Sequence, residues 1–410
     1  MAWKRKWKYN SQPINNLVMK IKSLRQIRNW GPRTVFLRVD FNVPLQNGKI
    51  FEDYKIVAGL ETINFLLSKQ VRLIIATHLG DPGGQIDPAY SVRPIARRLQ
   101  KLLSRPVKFS SEISGPKVQR YADKLQPGEI LFLENLRFCP GELTNDSTFA
   151  QALSSLADIY VNDAIAVSHR RQASVAAIKD FIPAYAGLLL EKELLAFNRI
   201  LKPKKPLVVI MGGAKIKTKA PLIASLLPSA SYILIGGALA NNFFKFQKLS
   251  IGRSLVDEDS AKEIKKFFTG PRLNKKIILP CDMVIKNKKG QAKCIPAQSI
   301  GRDESILDIG PRTISLFASY IKKAATIVWN GPMGKFEEDS FRQGSLSIAR
   351  LVAARSQGAA YGLVGGGETI EALKLTGMPE YVDWISTAGG AMLTYLGREE
   401  MPGLDKIVSK

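Results

Sequence analysis

The chain has 410 residues, 45% hydrophobic and 23% charged, with a formal net charge of +25. That is the composition of a soluble globular protein, long enough for two or three domains at ~150 residues each. Cys139, Cys281 and Cys294, odd in number and without metal-ligand spacing, exclude a disulfide scaffold and point to a reducing, cytoplasmic compartment.

No apolar run reaches the ~18 residues of a membrane span, and the basic start MAWKRKWKYNSQ lacks the apolar core of a secretion signal. The cation excess calls for an acidic partner: phosphorylated small molecules, nucleic acid or an anionic surface.

Residues 1–30 are basic and weakly patterned and read as an extension. From Thr34, TVFLRVDFNVPL reads as a strand with Arg38, Asp40 and Asn42 alternating onto one side. KIVAGLETINFLL follows at helical spacing, and RLIIATHLGDPGG is a buried strand running into His78 and a Gly/Pro turn. GEILFLENLRF delivers Glu134, Asn135 and Arg137, and DIYVNDAIAVSHRR delivers Asn162, Asp163, His169 and Arg170. Residues 186–202 read as a long helix closed by the basic, proline-bounded loop KPKKP, a natural connector between halves.

The second half repeats the rhythm with LVVIMGG, YILIGGALA, KIILPCDMVI, TIVWNG, YGLVGGGET and WISTAGGA. Alternating strands and helices imply parallel sheets covered on both faces. The unusual residues follow the apolar runs directly, at the strand ends where open α/β sheets bind ligands. In PLVVIMGGAKIKTKAP a strand meets a Gly pair, and Lys215 and Lys219 follow four residues apart, on one face of any helix starting there. That makes a phosphate site without the Walker spacing. Alone, a glycine turn before a lysine-rich helix is more often structural. His169, Asp40 and Glu337 likewise stay open between functional and structural readings, whereas His78 leans to the functional one and Trp329 and Trp384 to wall or core.

From about Ile21 onward the chain resembles phosphoglycerate kinase. RVDFNVP, THLG, LENLRF, VNDA with HR, GGAK with a second Lys, IGGALA, LDIGP, VWNGPMG, GGGET and IST with GGA occur in family order. The resemblance implies two Rossmann-like, doubly wound parallel-sheet domains joined by a hinge helix, with the active-site cleft between them. Residues 31–185 would hold 3-phosphoglycerate, 203–394 the Mg-nucleotide, and the tail 395–410 would pack on the first domain. It implies reversible transfer from 1,3-bisphosphoglycerate to MgADP, in line and after domain closure, by a cytoplasmic, glycolytic monomer. Mg²⁺ would be the cofactor, ATP/ADP the co-substrate, and no membrane or nucleic acid would be needed.

By the same resemblance Asp40 and Asn42 would position the glycerate, with His78, Arg137 and Arg170 as a basic patch and Lys55 beside the reacting centre. Lys215 would stabilise the transferring phosphoryl and Lys219 the nucleotide phosphates. Gly213, Gly237, Gly310, Asn330 and Glu337 would line the nucleoside pocket, Gly366, Gly367 and Thr369 would meet phosphates, and Glu368 would hold Mg²⁺. The residue chemistry agrees, since phosphoryl transfer needs positioning and charge neutralisation rather than a protein nucleophile.

Four positions depart from the family pattern: Lys55 for Arg, Asp81 for a cation, Glu368 for Asp and Ala388 for Gly. A carboxylate ~8 Å from a substrate phosphate costs about 2 kcal/mol at an effective dielectric of about 20. Ala388 would be strained if its φ were positive. Two rival readings remain. One is a family member of low activity that binds RNA or another polyanion through KRKWK, KPKKP and KNKKG; the other is a kinase for a different carboxylate or acyl phosphate.

Overall fold

The computed structural model describes residues 20–46, 48–257, 260–268 and 275–409. Among these, residues 20–195 with 400–409 form one compact unit and Ala196–Glu399 form the other.

In the amino-terminal unit the strands are β1 (Thr34–Val39), β2 (Arg72–Ala76), β3 (Lys108–Phe109), β4 (Ile130–Phe132), β5 (Ile159–Asp163) and β6 (Ala184–Ala186). They pair in parallel in the order β3-β4-β2-β1-β5-β6. Every residue of β1 is buried, as expected for a central parallel strand with helices on both faces. Helix α1 (Tyr54–Ser68) covers one face through Ile56, Gly59, Thr62, Ile63, Leu66 and Leu67, a helical stripe of i, i+3, i+4 and i+7 spacing. β1 ends at Val39, so of the three alternating polar groups only Arg38 is on the strand; Asp40 and Asn42 lie in the loop beyond it. GEILFLENLRF likewise stops being a strand at Phe132, because Asn135 accepts from Leu79 N (3.2 Å) and Arg137 N (3.1 Å) and bends the chain into a 3₁₀ turn at Leu136–Phe138.

The helix expected from 186 begins at Leu188, after β6, and α2 spans Leu188–Leu201. Its first turn is tied to the sheet and to α1: Asp163 Oδ1 accepts from Leu189 N and Leu190 N (3.0 Å each), and Thr62 Oγ1 of α1 accepts from Leu188 N (3.0 Å). Of the basic segment 1–30, residues 1–19 lie outside the described residues. Lys20–Ile21 pairs antiparallel with Val408–Ser409, and Leu24 and Trp30 are buried. The final segment is anchored to the same unit. Lys179 donates to the carbonyls of Pro402 and Asp405, and Met401, Leu404 and Ile407 are buried.

The carboxy-terminal unit has a second parallel sheet of β7 (Leu207–Met211), β8 (Tyr232–Ile235), β9 (Ile277–Ile278), β10 (Thr326–Asn330), β11 (Tyr361–Gly365) and β12 (Trp384–Ser386). Its order, β9-β8-β7-β10-β11-β12, is that of a doubly wound dinucleotide fold. KIILPCDMVI, read as one strand, is two. Pro280, which has no N–H to give a ladder, ends β9, and Asp282–Lys286 becomes the centre of an antiparallel sheet with Ala292–Pro296 and Ser305–Ile309. Helices α3 (Ala220–Leu226), α4 (Gly237–Phe246) and α5 (Gly367–Lys374) follow β7, β8 and β11. Each sheet reverses its winding beside one central strand, β1 and β7, and the chemistry-bearing residues gather there.

Candidate active site

Arg38 leaves the end of β1 fully buried. Its Nε donates to Ser174 Oγ (2.9 Å) and its Nη1 to Val39 O (2.6 Å); Nη2 lies 3.3 Å from His78 Nδ1. Glu142, also fully buried, is 4.0 Å from Nη2 and takes both the N–H and the hydroxyl of Ser174 (2.8 and 2.6 Å). Asp40 therefore pairs not with Arg38 but with Lys55, whose Nζ donates at 2.6 Å. Asp40 also accepts from Asn42 N (3.1 Å), while Asn42 Oδ1 accepts from Gly80 N (3.0 Å). Burial works to raise the Asp40 carboxyl, but Lys55, His78 and the Asn42 N–H together hold it below its ordinary value.

Arg137 donates Nη1 to Gly80 O (2.7 Å) and keeps buried Nε and Nη2 without a partner among the described residues. Burial and then the Arg170 charge lower its affinity for its proton, with Asp81, 3.8 Å away, opposing them. Arg170 is exposed on the turn after β5 and, after burial, also lowers His169, whose Nδ1 is buried and unpartnered. Buried donors left unpaired are costly, and an oxyanion would satisfy them. Asp40, Asn42, Lys55, His78 and Arg137 are thus brought into one constellation, with Arg170 at its rim.

In the carboxy-terminal unit Lys219 is 7% exposed and donates Nζ to Asn330 Oδ1. Burial lowers its pKa to about 8, with Glu368 opposing. Asn330 in turn donates to Gly365 O (2.7 Å), and Thr369 Oγ1 accepts from Gly331 N (2.7 Å), so the ends of β10 and β11 and the start of α5 are stitched together. Two glycines here have no substitute. Gly237 has φ +60° and a Cβ would lie 2.7 Å from both Gly213 N and Pro332 O; Gly366 has φ +100° and a Cβ would meet Asn330 Nδ2 at 2.8 Å. Beside them Gly367 faces open space at the first turn of α5, where helix N–H groups lack internal partners.

Lys215 and Lys219 do not share a helix face. Helix α3 starts only at Ala220, and the loop before it, held by Ile216 N donating to Asp257 (2.6 Å), exposes Lys215 and buries Lys219. Gly310 packs against the Asp282 carboxylate, which caps the following helix by accepting from Arg312 N (3.0 Å) and Thr313 N (2.7 Å). Glu337 and Glu368 are exposed.

A family model described as phosphoglycerate kinase matches residues 25–399. The chain belongs to the phosphoglycerate kinase family. It is 42% identical over 377 residues to the phosphoglycerate kinase of Thermomicrobium roseum, covering 91% of this chain and 95% of that one. With that of Pelotomaculum thermopropionicum it shares 39% over 397 residues, 96% of this chain and 100% of the other. The solved phosphoglycerate kinase of Coxiella burnetii superposes with a TM-score of 0.83 at 35% identity, covering 95% of this chain and 99% of its own. That of Pyrococcus horikoshii OT3 gives 0.80 at 31%, covering 94% and 98%. The two Rossmann-like parallel-sheet domains and a glycolytic phosphotransferase therefore hold. Nothing in these comparisons favours the polyanion-binding alternative. No helix among the described residues is long and apolar enough to cross a membrane.

At Ala388 the structure removes the backbone strain that a positive φ would bring. Ala388 is not among the residues with positive φ; Gly389 carries that conformation instead, at φ +55°. The Asp81 side chain is 74% exposed. Sequence reasoning missed the supports behind the site: Glu142, Ser174, Asp282 and Asp308. Asp308, raised to about 7 by burial, accepts from Gly344 N (2.7 Å) and Ile309 N (2.9 Å). Its signal was an Asp at the end of an apolar run before Gly-Pro; Glu142 and Ser174 gave none.

Proposed function

We propose that the enzyme holds 3-phosphoglycerate at the β1–β2–β5 ends and the Mg-nucleotide at the β7–β10–β11 ends, and passes the phosphoryl group directly between them in line. The observation that carries this reading is Lys219, an ammonium buried at Asn330 among glycine turns whose backbone can approach a phosphate closely. Ionised Asp40 can only accept, so it takes the glycerate hydroxyl, helped by Asn42; Lys55 keeps it ionised and adds positive charge near the reacting carboxyl. The unpartnered donors of Arg137, with His78 and Arg170, receive the substrate phosphate. Lys215, exposed on its loop, follows the transferring phosphoryl and together with Arg170 neutralises its equatorial oxygens.

Gly213, Gly237, Gly310, Asn330 and Glu337 line the nucleoside side, and the α5 N-terminus at Gly366, Gly367 and Thr369 receives phosphates through backbone N–H groups, since the Thr369 hydroxyl already serves Gly331. Glu368, exposed in the first turn of α5 and electrostatically coupled to Lys219, fits Mg²⁺, which takes one or two carboxylates and completes its shell with water and substrate phosphate. When bound, Mg²⁺ would neutralise phosphate oxygens. Three free thiols support a cytoplasmic setting, and we read the enzyme as a monomer.

The test is ADP formation from MgATP with and without 3-phosphoglycerate, beside Lys215→Ala. Turnover that requires 3-phosphoglycerate and is lost in the variant is expected. Turnover with another phosphorylated acid but not this one would overturn the substrate assignment.

A further inference from the structure

Arg38 is a cation in the core of the amino-terminal unit, and the transfer reading gives it no task. It is held on two sides. Nη1 is spent on Val39 O, Nε on Ser174 Oγ, and the Ser174 hydroxyl donates in turn to Glu142 Oε1, so the guanidinium is locked in a directional chain ending on a buried carboxylate. Tyr160 fixes the far side of that chain by donating to Ser174 O (2.8 Å). What remains is Nη2, 3.3 Å from His78 Nδ1.

A guanidinium has five donors, no acceptor and a proton it does not give up. Nδ1 facing it must therefore be the acceptor, and the proton of the neutral ring must sit on Nε2, for which no partner is found among the described residues. We infer that Arg38 is a positioning residue that, anchored by Ser174 and Glu142, holds His78 as the neutral Nε2–H imidazole, so that His78 meets the substrate as a hydrogen-bond donor rather than as a cation. Only the last clause rests on His78 binding substrate. The surroundings agree. Burial and the charges of Arg38, Arg137 and Lys55 all push the ring away from protonation, and Asp40 alone opposes them. A cationic His78 would also add charge to a patch already crowded by Arg137 and Arg170, whereas a neutral donor adds direction without repulsion.

The chain has two histidines, so long-range ¹H–¹⁵N spectra of the full-length protein resolve both rings, and His169→Gln assigns them. We expect His78 to give the Nε2–H tautomer, unchanged from about pH 5 to 8. An Nδ1–H ring, or an imidazolium titrating near the ordinary value, would overturn the inference. Arg38→Met combined with Glu142→Gln removes both buried charges together; His78 should then titrate, and KM for 3-phosphoglycerate should fall toward acid pH with kcat changing less. A ring that stays Nε2–H and silent in that variant would also overturn it. Arg38→Lys keeps the charge without the fork, so the ring should stay neutral but mix tautomers, which a purely structural role would not produce. Should the double variant not fold, the wild-type and lysine spectra decide. His78 signals that ignore 3-phosphoglycerate would sink its substrate role and leave the positioning role standing.

Discussion

The two parallel sheets build their strand ends in opposite ways. The amino-terminal sheet draws charged side chains inside: Arg38 and Glu142 are fully buried, Arg137 nearly so, and the donors offered outward are guanidinium and imidazole groups braced from behind. The carboxy-terminal sheet uses glycine. Its turns at Gly213, Gly237, Gly331 and Gly366 all have positive φ, and the buried ammonium of Lys219 supplies charge. The first site should therefore fail when charge or hydrogen-bond direction changes, and the second when a methyl group is added. A small acid with one carboxylate and one phosphate suits fixed forks, while a chain of phosphates suits close, sequence-independent backbone contact.

The largest effect expected is at Lys215, which belongs to neither scheme because it is exposed. Lys215→Ala should lower kcat by about 10²–10³, as the loss of one transition-state donor does elsewhere. KM for both substrates and thermal stability should barely move. A drop in affinity with kcat intact would assign it to ground-state binding instead.

Next comes Gly237→Ala, the sharpest test of the glycine side. Its Cβ would sit 2.7 Å from Gly213 N and Pro332 O, at a φ of +60°, and a strained backbone of this kind costs about 1–3 kcal/mol. Nucleotide affinity by calorimetry should fall about tenfold or more, while 3-phosphoglycerate binding stays as in the wild type. Equal losses on both sides would break the contrast between the sheets.

Lys219 offers a pH handle of intermediate size. Its folded pKa of about 8 lies below the ordinary lysine value, so the folded state disfavours the charge and stability rises as pH climbs from about 8 to the unfolded value near 10.5. Nucleotide phosphates favour the charged form and reverse the preference locally. Wild-type nucleotide binding should thus weaken as pH passes about 8, and Lys219→Met should be weaker at neutral pH by about tenfold with no such step. A step that persists in Lys219→Met belongs to another group.

Much of the fold could be read before the structure because parallel strands buried on both faces leave unbroken apolar runs, as in LVVIM from Leu207 and TIVWN from Thr326, and because each run ends on a residue that cannot continue it. The candidate site residues were picked out by their place after those runs. What could not be read was local competition: Asn135 bending its own strand, Pro280 splitting another, and the α3 start slipping to Ala220, which put Lys215 and Lys219 in unlike environments. The supports were hidden for a different reason. Ser174 and Glu142 lie 32 residues apart in the chain and meet only in the folded core, so no spacing announces them.

The smallest effect expected is at Asp81, and its size is the informative part. Unscreened, a carboxylate at ~8 Å would cost the substrate phosphate about 2 kcal/mol. But Asp81 is 74% exposed, and its neighbour Arg137 already spends Nη1 on Gly80 O, so water and salt screen most of that charge and leave an exposed-pair value below about 1 kcal/mol. Asp81→Asn should therefore lower KM for 3-phosphoglycerate only about two- to fivefold at low ionic strength, and the gain should shrink as salt shortens the screening length. A salt-insensitive gain of tenfold or more would mean that Asp81 reaches the phosphate directly. A rise in KM would mean that it orients Arg137 rather than opposing the substrate, and the amino-terminal site would then depend on direction even at its exposed rim.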